Sequence, residues 1–165
     1  MKRILIILLL FTPILLYAQK FKLESPDTER LAALMDAGAY PVYEVIYLYL
    51  IWNYDTVSQK QDVVYYENPE YGIRMFSQKF ENGIEYSFED YTEGGAAVLL
   101  TLPSTDRDNL VKWIETIFES LSLGSTKNGW NSDKSEFSPI EEDVGCFYNI
   151  RETGTHTIIK NYCGC

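Results

Sequence analysis

Histidine is nearly missing from this chain: His156 is the single one among 165 residues. A Ser-His-Asp or Cys-His triad would have to be built on that side chain, and no G-x-S-x-G or comparable nucleophile motif accompanies it. Clustered positive charge is missing as well. The 14 Lys and Arg are outnumbered by 24 Asp and Glu, the formal net charge is −10, and no basic run occurs. A phosphate backbone repels such a chain, which argues against nucleic acid as a partner. The acidity serves solubility, with an acidic surface meeting a basic partner as its other use. No glycine-rich phosphate loop exists, Gly94-Gly95 being a turn signal. No internal repeat or linker divides the chain.

What is present begins with Met1-Lys2-Arg3, then residues 4–16, apolar apart from Thr12 and Pro13, then Tyr17-Ala18-Gln19-Lys20. A basic start, a short apolar core and a small residue before a polar stretch make a secretory signal over residues 1–18, cut after Ala18. The run falls short of the ~20 apolar residues that a membrane anchor needs, and Pro13 interrupts it. Residues 19–165 then suit one exported domain, periplasmic or secreted, with no membrane span after cleavage. Its aromatic residues, 15% of the chain with 13 Tyr among them, suit sheet surfaces and interfaces.

The strongest folding signal lies at residues 96–123. An apolar run meets Pro103-Ser104-Thr105, after which Leu110, Trp113, Ile114, Ile117, Phe118 and Leu121 recur at intervals of three and four. That is the stripe of an amphipathic helix, capped by Ser104, Thr105 or Asp106 and stopped by Gly124. A shorter helix is expected from Ser25-Pro26, with Leu31, Leu34 and Met35 as its apolar stripe and Gly38 as its stop. Residues 42–52 are apolar except Glu44. Their Val, Ile and Tyr content favours a strand buried on both faces over a buried helix.

Further strands are expected at residues 63–67, 73–80, 84–91 and 96–102. Asn82-Gly83 is a strong hairpin signal, and a two-residue turn there pairs Glu81 with Ile84. Ile73, Met75, Ile84, Tyr86 and Phe88 then share the core face. Phe76 and Phe80 fall on the polar face, as a candidate interaction surface. Residues 125–142 read as a polar surface loop with one aromatic plugging the core, and residues 144–152 and 156–165 as a last hairpin. The expected class is α+β: an antiparallel meander plus a C-terminal hairpin, with one long and one short helix packed on the sheet.

Three cysteines remain after the signal: Cys146, Cys163 and Cys165. If Gly154-Thr155 form a type II′ turn, Thr153 pairs with His156 and Cys146 stands opposite Cys163 at a non-hydrogen-bonded, close-approach position. A Cys146–Cys163 disulfide with Cys165 free follows, with three buried thiols as the plain alternative. The Cys163-Gly164-Cys165 end also allows a redox couple or an intermolecular thiol, although no helix N-terminus lowers the thiol pKa there. Zinc on the cysteines and His156 would need groups about 20 Å apart along the ladder. Asn131, Asp133, Ser135 and Glu142 mimic a calcium loop, but Glu136 replaces its glycine and Pro139 intrudes. Glu85 and Glu89 lie about 13 Å apart, too far for a glycosidase pair. No catalytic residue, metal or cofactor is expected. The sequence reads as an exported, non-catalytic binding domain for a protein or envelope component. The alternative is a thiol-redox protein.

Overall fold

Alternating burial along each extended segment, and helices wherever the apolar residues cluster on one side, give this chain an α+β architecture. The computed structural model describes residues 20–36, 44–65, 73–91, 94–121, 127–140 and 144–164. The helices are α1 (Thr28–Asp36), α2 (Val45–Asn53) and α3 (Arg107–Glu119). The strands are β1 (Gln61–Tyr65), β2 (Ile73–Lys79), β3 (Glu85–Tyr91), β4 (Gly95–Pro103), β5 (Asn128–Trp130), β6 (Glu136–Pro139), β7 (Gly145–Glu152) and β8 (His156–Gly164). They form one sheet in the order β1-β2-β3-β4-β8-β7-β6-β5, antiparallel at every junction. Two meanders, β1–β4 and β5–β8, therefore meet through their last strands. The secretory signal expected at residues 1–18, the helix stops Gly38 and Gly124, and Cys165 lie outside the described residues.

Register lines the buried side chains into rows, because residues directly opposite one another share a face. One row crosses Phe76, Phe88, Val98, Asn161, Tyr148, Phe137 and Trp130 from β2 to β5. All but Trp130, which is half-buried, lie in the interior. The helices cover this face. Tyr47 of α2 packs edge-on against Phe76 at 4.9 Å, and Tyr49 meets Trp113 of α3 at 5.2 Å. Leu110, Val111, Trp113, Ile114 and Ile117 form the buried side of α3. At ~1.5–3 kcal/mol per fully buried large side chain, they are a major part of what holds the helix to the sheet.

The caps differ in detail from expectation. Asp106 caps α3, its carboxylate accepting from Asn109 N at 3.0 Å. Helix α1 starts later than Ser25-Pro26, with the Asp27 carboxylate accepting from Arg30 N. Ahead of α1, an extended strap is stitched to the start of α3. Phe21 exchanges backbone bonds with Ser104 and Asp106, and the Asn109 side chain accepts from Leu23 N and donates to Leu23 O.

Three expectations are corrected. The apolar stretch favoured as a strand contains α2 instead. Its Val45, Ile46, Leu48, Tyr49 and Leu50 are all buried, so burial on several sides outweighed the β-branched composition. The stretch read as a polar loop contains β5 and β6, which extend the sheet. Phe76 and Phe80 do not form a surface; they are 2% and 1% exposed. The Asn-Gly turn does form, with φ 59° at Asn82 and 76° at Gly83 and a bond from Ile84 N to Glu81 O. However, Ile84 O accepts from Phe80 N, while Glu81 N turns away to Asp55 O at 2.8 Å. Phe80 and Glu81 thus both stand opposite Ile84. This bulge shifts β2 by one residue and turns Phe76, Gln78 and Phe80 inward in place of Met75.

Candidate functional site

The β5–β6 hairpin is built from short polar side chains at its tip and aromatic ones at its base. Asn131 Oδ1 accepts from Glu136 N, and Asp133 Oδ1 accepts from both the amide and the hydroxyl of Ser135. Those bonds hold the Asp133 carboxyl below its ordinary pKa. Lys134 takes the left-handed conformation the turn requires, at φ 56°. Asn131, Asp133 and Ser135 of the calcium-loop mimic are thus occupied in closing a hairpin, Glu142 lies outside the described residues, and no cluster of metal-ligating side chains occurs among those described.

Behind the tip, Trp130 pairs with Phe137, their rings 4.8 Å apart. Phe137 plugs the core, meeting Phe118 of α3 edge-on at 5.4 Å and Tyr148 at 6.1 Å. The indole N–H of Trp130 donates to Glu115 Oε1 at 2.8 Å, joining hairpin to helix. Between them lies a groove of about 430 Å³, lined chiefly by Glu115, Phe118, Glu119, Lys127, Trp130 and Ile140. Trp130 and Phe118 are half-buried and Ile140 is 64% exposed. At this end the sheet runs on past the rings that α3 fully covers. The result is an aromatic floor with carboxylates on its helical side.

Among the described residues, the opposite sheet face bears no helix contact of this kind. It has a shallow hollow of about 330 Å³ around Leu99, Ala97, Tyr162, Lys160, Ser87 and Glu89. Its charges are partly paired: Lys79 meets Glu85 at 2.6 Å, and Tyr91 donates to Glu89. That bond raises the Tyr91 hydroxyl to about 12. The hollow thus mixes Ala97 and Leu99 with Ser87, Glu89 and Lys160.

Cys146 and Cys163 are joined by a disulfide, with their Cα atoms 4.0 Å apart on paired positions of β7 and β8. Thr153 and His156 exchange backbone bonds at the turn, the register expected for that pair. Gly154 does not take the positive φ of a type II′ turn, so the register holds with a different tip. The glycine of Cys163-Gly164-Cys165 has a packing reason. A Cβ on Gly164 would stand 2.5 Å from Gly94 O, and one on Gly95 would stand 2.1 Å from Cys163 O. Strands β4 and β8 cross too closely there for side chains. The structure therefore pairs Cys163 with Cys146 and uses the intervening glycine for close approach. His156 is exposed beside the turn, its Nδ1 bonded to Thr155 Oγ1 at 2.7 Å.

No protein-family model, curated protein or solved structure matches this chain. The groove is made of residues that sequence reasoning assigned elsewhere or left in a loop. One signal could have found it: Trp130 and Phe137 flank Asn131-Ser132-Asp133, turn-forming residues between two aromatic positions.

Proposed function

We propose that the protein is an exported, non-catalytic binding domain that engages a protein or envelope component through the groove between α3 and the β5–β6 hairpin. The observation that carries this reading is the groove's lining. Half-buried Trp130 and Phe118, with exposed Ile140 beside them, offer the aromatic and aliphatic anchors around which interfaces concentrate their binding energy. Export is supported by the Cys146–Cys163 bond, which suits an oxidising compartment. It is also compatible with the strap: a cut after Ala18 leaves Phe21 and its bonds to Ser104 and Asp106 whole.

The test uses residues 19–165, disulfide intact, as bait in envelope extract, beside the same protein carrying Ile140→Glu. A discrete partner held by the first and lost by the second is expected. Equal capture by both baits would move binding away from the groove. Mass spectrometry of the native protein is expected to find Gln19 first; a chain from envelope fractions that still begins at Met1 would overturn the export reading.

A further inference from the structure

We infer that the groove receives an arginine side chain from a basic segment of a protein partner. This deepens the groove-binding reading and rests on it. Elsewhere the molecule puts its own cations over aromatic rings. The Arg30 guanidinium lies 3.8 Å over Trp52, and the Lys60 ammonium lies 4.0 Å over Phe76. Trp130 has no such cation over its ring among the described residues. Its N–H is held by Glu115, and Glu119, one helical turn further along the groove wall, has no ion-pair partner among those residues.

An indole and an uncommitted carboxylate in one groove match a guanidinium in two ways. The planar cation stacks on the ring while its N–H fork pairs with the carboxylate. A lysine ammonium, compact and strongly hydrated, uses only the charge. A neutral segment seated in the groove would desolvate Glu119 without giving it a partner, and an acidic one would be repelled. Lys127 offsets one of the two groove carboxylates, and the chain's net charge of −10 adds attraction for a basic partner at longer range.

The probes are blocked tripeptides Leu-Arg-Leu, Leu-Gln-Leu and Leu-Glu-Leu, titrated into disulfide-bonded residues 19–165. The readout is the Trp130 indole N–H resonance, identified by its loss in Trp130→Phe; unchanged Trp52 and Trp113 indole signals report that each variant is folded. The arginine peptide is expected to shift the Trp130 signal saturably and to bind about tenfold more tightly than the glutamine peptide. Glu119→Gln or added salt should weaken it by a similar factor. Equal affinity for the glutamine peptide, an unmoved indole, or indifference to Glu119→Gln would each overturn the inference. The bait comparison with Ile140→Glu is read separately, so a groove that binds a partner without arginine is distinguishable from a groove that binds nothing.

Discussion

The β2–β3 and β7–β8 hairpins hold their registers by opposite means. At β2–β3 the tip is a strongly formed Asn-Gly turn, yet a bulge beside it sets which residues face the core. The pairing is kept by rings: Phe76 packs on Phe88 at 5.2 Å and on Tyr86 at 5.5 Å. At β7–β8 there is no bulge; the ladder runs unbroken from Glu152–Thr157 to Gly145–Gly164, and a covalent bond closes it near its far end. The first hairpin is fixed by what lies over it, the second by what lies within it. Packing and cross-linking are thus alternative ways to forbid a one-residue slip, which would turn every side chain of a strand over.

The sharpest way to break this contrast is at Phe76. Phe76→Ala is expected to cost about 3–5 kcal/mol, as for other buried aromatic residues, while Met75→Ala on the outward face costs under about 1 kcal/mol. Urea melts of the two variants decide it, and equal losses would contradict the bulged register. Replacing both Cys146 and Cys163 by Ala comes next. With the cysteines 17 positions apart in the sequence, the lost loop constraint corresponds to about 3 kcal/mol. The register should survive the loss, because Ile150 and Ile159 still pair across the same face. Amide exchange along β7 and β8 checks both points.

A smaller effect is expected from deleting Glu81. Phe80 would then oppose Ile84 across a plain two-residue turn, leaving Phe76 inward, and the cost is the bond from Glu81 N to Asp55 O, about 1 kcal/mol. Collapse of the fold on deletion would show that the bulge is required for pairing. The smallest change belongs to Tyr86 and Tyr148, one in each hairpin, whose buried hydroxyls have no bonding partner among the described residues. Tyr86→Phe and Tyr148→Phe should be neutral or stabilising by up to about 1 kcal/mol. Burial raises both phenols above the ordinary value of 10.0. Their contribution is therefore intact below pH 10 and is lost as pH rises past it, where the unfolded tyrosines ionise first. Thermal melts of each Phe variant should show a shallower alkaline decline than the parent.

What could be read from the chain depended on whether the deciding contact was local. Asp106 lies four residues ahead of Leu110, so cap and stripe of α3 stand together in the sequence. The Cys146–Cys163 register followed from counting outward along one hairpin. By contrast, the bulge at Phe80–Glu81 answers to Asp55, 26 residues from Glu81, and no turn rule reaches that far. Residues 42–52 show no period because α2 is buried on several sides. Val and Tyr composition then pointed to a strand where packing against Phe76 and Trp113 selects a helix. The groove was hidden for a similar reason. Ser, Asn, Asp and Lys dominate its hairpin by number, while Trp130 and Phe137 find their positions only against α3.

The Asn109 amide, bonded to both backbone groups of Leu23, has a consequence for the order of events in a growing chain. Leu23 leaves the ribosome 86 residues before its clamp exists. Through that interval the strap has neither Asn109 nor the Ser104–Asp106 backbone to bind, so the leading end of the domain stays open until α3 begins to form. Under the export proposed above, such a schedule would suit passage through a membrane pore front end first, because the segment entering earliest waits 86 residues for its partner.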